Sequence, residues 1–168
     1  MNAKLIVEGK EFDIEILDPK LQELIAPKKK TGYERVGEGE KFYFSVDNGT
    51  ADYETDYGDV PDDETYADAN YFSDETVAEN NARAEKLMRQ LRRFAVEHRE
   101  EKVNWRDRGQ YKYRIMYNHD ENELIIEDNQ FMQTLGSVYF DSEKNASLAI
   151  TAFHDELVWY FTEYKDSL

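Results

Sequence analysis

YFSDETVAENNARAEKLMRQLRRFAVEHREEK, residues 71–102, carries the signals of one long amphipathic helix. Ser73 and Thr76 are candidate N-caps, and Thr76 with Glu79 fits the S/T-x-x-E capping box. Asp74, Glu75 and Glu79 crowd the start while His98, Arg99 and Lys102 gather at the end, as the helix dipole favours. Val77, Ala84, Met88, Leu91, Ala95 and His98 recur at helical spacing, and Leu87 and Phe94 widen the stripe. Neither Gly nor Pro interrupts the run, so a helix is expected from Thr76 to Arg99.

Outward from this helix the pattern shortens to strands and turns. Residues 3–17 form two alternating runs around Gly9-Lys10, a hairpin signature. Asp18-Pro19 opens a short helix expected to reach Ala26, and Lys28-Lys29-Lys30 reads as a solvated connector. Tyr33–Val36 and Lys41–Val46 are strand-like; Asp47-Asn48-Gly49 is a turn, with Thr50–Glu54 as the returning strand. Beyond the helix, residues 105–109 read as a loop. Tyr111, Tyr113, Ile115 and Tyr117 alternate as a strand, Asn118–Asn122 turn, and Glu123–Glu127 return. A further strand is expected over Phe131–Phe140, broken near Gly136. The last helix should run from near Ser142 toward Tyr164, with Ala146, Ala149, Ile150, Phe153, Leu157, Tyr160, Phe161 and Tyr164 as its core face.

Tyr71-Phe72-Ser73-Asp74-Glu75-Thr76-Val77-Ala78 is echoed by Tyr139-Phe140-Asp141-Ser142-Glu143-Lys144-Asn145-Ala146. Duplication and convergence on a good helix start both account for the echo. The expected class is α+β: antiparallel β-hairpins with two long amphipathic helices, arranged as two tandem β-then-α units. Three segments follow: an N-terminal hairpin and short helix over 1–30, a first unit with an acidic stretch over 31–102, and a second unit over 103–168.

The chain of 168 residues contains no Cys, which removes disulfides, thiolate nucleophiles and Cys-based zinc sites. No stretch approaches the roughly 20 apolar residues of a membrane span, and no leader pattern opens the sequence. Solubility in a cytoplasm, without a membrane partner, is the expectation. The formal net charge of −16 speaks against a nucleic acid as main partner and for a basic protein.

His98, His119 and His154 belong to no catalytic signature, and no P-loop, G-x-S-x-G or G-x-G-x-x-G is present. No enzyme activity, cofactor or metal is therefore expected. Asp52-Tyr53-Glu54-Thr55-Asp56-Tyr57-Gly58 approaches a calcium loop, but its glycine comes one place late and no helix precedes it. Between Phe42 and Ala82 stand twelve acids and neither Lys nor Arg. Two readings fit this run: a flexible solvated loop, or a nucleic-acid mimic. In the second, Asp52, Glu54, Asp56, Asp59, Asp62, Asp63, Glu64 and Asp68 supply charge, while Tyr53, Tyr57 and Tyr66 offer stacking surface to a basic channel. The opposing candidate is the Arg-rich helix of residues 83–99, where Arg89, Arg92 and Arg93, with Trp105, Arg106 and Arg108 beyond it, suit nucleic acid. Neutralisation of these arginines by nearby acids is the preferred reading of that face.

The blocks KKTGYERVGEGEKFYF (29–44), NYFSDETVAENNARAEKLMRQLRRFAVEH (70–98), GSVYFDSEKNASLAI (136–150) and ELVWYFTEYKDSL (156–168) resemble small acidic proteins of unknown function from phages and mobile elements of Firmicutes. That resemblance carries no catalytic residues. It implies a phage-encoded accessory role in the host cytoplasm, and acidic proteins of that kind include anti-CRISPRs and other counter-defence inhibitors. The expected function is thus an anti-CRISPR-like inhibitor that occupies the basic groove of a CRISPR effector, its guide complex or a similar nuclease. The alternatives are a nucleic-acid-binding accessory protein that uses the Arg-rich helix, or a structural, oligomeric phage protein.

Overall fold

The computed structural model describes residues 2–7, 10–15 and 30–164. Two compact units divide the chain, residues 1–31 and 32–168. In the first, β1 (Asn2–Val7) and β2 (Lys10–Glu15) pair antiparallel in the register Leu5 to Phe12, as the alternation predicts. The helix expected over 18–26 lies outside the described residues.

The second unit is α+β. In chain order it holds β3 (Lys41–Ser45), β4 (Ala51–Thr55), α1 (Val60–Ala67), α2 (Glu75–His98), β5 (Lys112–Asn118), β6 (Glu123–Asn129) and α3 (Glu143–Trp159), which continues into a π-helical turn (Tyr160–Tyr164). Strands β3 with β4, and β5 with β6, form separate antiparallel hairpins.

The echo in the sequence has a structural counterpart. Phe72 exchanges two backbone hydrogen bonds with Tyr43 of β3, both 2.8 Å; Phe140 does the same with Tyr113 of β5, at 3.0 and 2.8 Å. Two residues after each bridge comes the N-cap, Asp74 for α2 and Ser142 for α3, whose side chains accept from Val77 N and Asn145 N. Four residues after each cap stands an alanine, Ala78 or Ala146, buried completely because a larger side chain would hold the helix off the hairpin. The same plan of hairpin, bridging aromatic, cap and close-packed alanine is therefore built twice.

Four expectations need correction. Asp74, not Ser73 or Thr76, caps α2, because its carboxylate reaches the Val77 amide (3.0 Å). Tyr33–Val36 is not a strand: the Val36 amide donates to the Tyr71 hydroxyl (3.2 Å) instead of to a ladder. Gly32 just before it takes φ +87°, where a Cβ would sit 2.7 Å from Val77 Cγ2. Phe131–Phe140 is a loop that touches the hairpin by one bridge, since the Phe131 and Met132 amides donate to Asn129 Oδ1 and Thr134 N donates to the Tyr139 hydroxyl. Last, the acidic stretch contains a helix, α1, that periodicity did not signal.

The core gathers Leu87 and Leu91 of α2 with Phe140, Ala146, Ala149 and Leu157; Met88, Ile150 and Phe153, expected to be buried, are half-buried at its margin. Phe94 and Phe153 meet edge to face at 5.6 Å, and Arg83 joins the helices by two hydrogen bonds to Glu156 (2.8 and 3.1 Å) while its guanidinium lies 3.8 Å from the Trp159 ring centre. No helix among the described residues is long and apolar enough to cross a membrane.

Candidate functional site

The acidic stretch is ordered by one of its own members. Asp56, 2% exposed, accepts from Arg35 Nε at 3.1 Å, from the Tyr71 hydroxyl at 2.7 Å and from Gly58 N at 2.7 Å. A buried carboxylate is costly unless its lone pairs are filled, and here they are. Arg35 foremost, then the Tyr71 hydroxyl, hold its carboxyl below the ordinary aspartate value, against the opposing effect of burial. Burial and the bond to Asp56 push the Tyr71 hydroxyl from 10.0 up to about 12. Tyr71 in turn stacks on Phe42, ring centres 4.2 Å apart, so the polar knot is seated on the hairpin. Arg35 also reaches Asp63 of α1 and lies 5.7 Å from the centre of the Tyr66 ring.

Helix α1 starts on this knot. Asp59 is its N-cap and exchanges bonds with Asp62, whose backbone N donates to Asp59 Oδ1 (3.2 Å) and whose carboxylate takes the Tyr57 amide (2.7 Å). Pro61 in the first turn supplies a helical φ. The pattern Asp59-Val60-Pro61-Asp62 was visible in the sequence as a capping box with Asp in place of Glu.

The predicted partner-binding residues therefore divide. Asp56 and Asp62 are buried and their oxygens serve the fold, which removes both from the contact surface. Asp52, Glu54, Asp59, Asp63, Glu64 and Asp68 are exposed. Of the tyrosines, Tyr57 is the barest at 68% exposure. Tyr53 has the Lys41 ammonium 3.8 Å from its ring centre and Tyr66 leans on Tyr71, so both keep one face occupied. Arg35 and Lys41, outside the acidic run in sequence, thus enter its surface in space.

The Arg-rich face is largely paired within the chain. Arg89 Nη2 donates to the Asp47 carbonyl at 2.6 Å and its Nη1 lies 3.6 Å from Glu85; Arg93 lies 3.8 Å from Glu97. Arg92 lines a shallow hollow with Arg89, Tyr160 and Tyr164. Trp105 stands edge-on to Tyr139 at 4.8 Å and shields Lys112, while Arg106 and Arg108 are exposed on the loop. The expected neutralisation holds for Arg89 and Arg93 through neighbours on their own helix, whereas Arg83 is matched by Glu156 on α3.

Lys112 is completely buried, and no sequence signal marked it. Its ammonium donates to the carbonyls of Asp107 (2.7 Å), Gln110 (2.6 Å) and Gln130 (3.4 Å), closing loop 105–110 onto the base of the β5–β6 hairpin. His98 stacks on Phe94 at 3.8 Å, His119 meets Tyr117 edge to face and His154 contacts Asp155, so each histidine has a different neighbour. Among the described residues no group of three or more His, Cys, Asp or Glu is placed to hold a metal ion. No family model, curated protein or solved structure matches this chain.

Proposed function

We propose that this chain is a non-catalytic binding protein that offers an ordered, nucleic-acid-like anionic surface to a basic groove on a partner protein. The concrete case is a counter-defence inhibitor of a CRISPR effector or a similar nuclease. The observation that carries the reading is the Arg35–Asp56–Tyr71 knot, which fixes β4 and α1 relative to each other and leaves six carboxylates outward. A surface already ordered loses less entropy on binding than a flexible acidic loop would. Duplex DNA offers one charge per roughly 1.7 Å of axis, and closely spaced carboxylates beside exposed Tyr57 give a basic channel both charge and an aromatic contact.

The test is competition with guide RNA or target DNA for a purified CRISPR effector nuclease at two salt concentrations. The triple change Glu54→Lys, Glu64→Lys and Asp68→Lys should weaken binding at least tenfold and leave the melting temperature nearly unchanged, and binding of the unaltered protein should fall steeply with salt. Full activity of the triple variant, with no salt dependence, ends the proposal. A gel shift lost on Arg92→Glu would instead assign the Arg-rich helix.

A further inference from the structure

Away from the acidic surface, an apolar cavity of about 270 Å3, open to solvent on one side, lies among α2, α3 and strand β5. Leu87 and Leu91 of α2, Phe140 and Leu157 floor it, and each is at most 5% exposed, so the cavity opens directly onto the core. Ile115 and Val138 wall it. Its rim combines two unusual backbone features. Tyr160 and Phe161 enter from the π-helical turn, a form that is rare and concentrated at functional sites. Opposite stands Leu135-Gly136, with Gly136 at φ +79° and Leu135 fully exposed. A tightly packed interior has few voids of this size.

We propose that this cavity is a binding site for a small, uncharged, apolar molecule, aromatic or branched aliphatic. The chemistry follows from the lining. Arg114 is the one charged side chain there, and its fork is already filled: Nε and Nη2 both lie 2.5 Å from Glu127 Oε2, and Nη1 bonds Thr134 Oγ1. No cationic group is left over for an anion, and a chain of net charge −16 repels one at long range. Size follows from volume. A dry cavity of about 150 Å3 accepts one benzene ring, so the space here suits roughly ten non-hydrogen atoms. This site is independent of the acidic surface and of the function proposed for it.

Indole is the probe, followed by methyl NMR of the full-length protein. Binding should be saturable, with shifts centred on Leu87, Met88, Leu91, Ile115, Val138 and Leu157. Indole-3-acetate, the same ring with a carboxylate, should bind at least tenfold more weakly. Val138→Phe, which fills the cavity, should weaken indole at least tenfold while distant methyls keep their positions. Should that variant fail to fold, the comparison of the two ligands on the unaltered protein decides by itself. Absence of saturation, shifts scattered over the surface, or equal binding of indole-3-acetate overturns the assignment.

Discussion

The first β-then-α unit and the second share a frame and differ in what fills it. In the first, Phe42 stacks on Tyr71 and the next layer is the charged knot of Arg35 with Asp56. In the second, the position that matches Phe42, one residue before the bridging tyrosine, is Lys112, and beyond Phe140 lie Leu87, Leu91 and Leu157 around a cavity. One backbone plan thus supports either a polar staple that organises a surface or an apolar floor that leaves a pocket. The backbone plan does not dictate the function of either half.

The largest effects should come from the aromatic floor. Phe140→Ala, which opens the apolar side further, is expected to cost about 4 kcal/mol, and Phe42→Ala about 3 kcal/mol, in urea unfolding. Equal losses would show that the two fills are energetically interchangeable. Next is Asp56→Ala, expected to cost about 2 kcal/mol: it removes the acceptor of the Tyr71 hydroxyl proton and one of the two carboxylates on Arg35, but Arg35 keeps Asp63 and 33% of its side chain in water and so feels less than a fully buried ion. The variant should also expose the 52–68 segment to proteolysis while loop 131–138 is unaffected. A melt unchanged by Asp56→Ala would sink the staple.

A smaller effect, about 1.5 kcal/mol, is expected of Tyr71→Phe, since the ring and its stack remain while the hydroxyl's bonds to Asp56 and from the Val36 amide go. The same hydroxyl gives an alkaline signature. An unfolded tyrosine ionises near 10.0 while Tyr71 holds its proton to about 12, so its contribution is whole below pH 10 and lost as pH rises through about 12. On the acid side the sign is opposite: Asp56 ionises below the ordinary 3.8, so its contribution is whole above that value and fades as pH falls through its lower folded pKa. Unfolding followed against pH, with and without Tyr71→Phe, checks the alkaline limb. Smallest of all, Glu54→Gln and Glu64→Gln should each stay within about 0.5 kcal/mol of the parent, because exposed acids contribute little to folding.

How much of this the sequence revealed depends on the range of the interaction. Helix α2 and helix α3 were legible because their stripes are local, and so were the three hairpins, whose turns sit between alternating runs. Helix α1 was missed because its acids carry no apolar period, although the Asp59 cap and Pro61 were in view. Tyr33–Val36 and Phe131–Phe140 had strand composition, yet side-chain acceptors such as the Tyr71 hydroxyl and Asn129 Oδ1 took amides a ladder would have used. In the candidate site, Asp56 looked like every other acid around it. What sets it apart is Arg35, twenty-one residues upstream, a relation no spacing rule carries.

Lys112 has one more consequence, for chemical labelling. An amine fully buried, held by three carbonyls and shielded from water by Trp105 is out of an electrophile's reach until loop 105–110 lifts away. Amine-reactive reagents should therefore modify exposed Lys41, Lys86 and Lys144 in the native protein and spare Lys112. Its acylation rate, read by mass spectrometry, becomes a clock for opening of the second hairpin's base, independent of any bound partner on the acidic side.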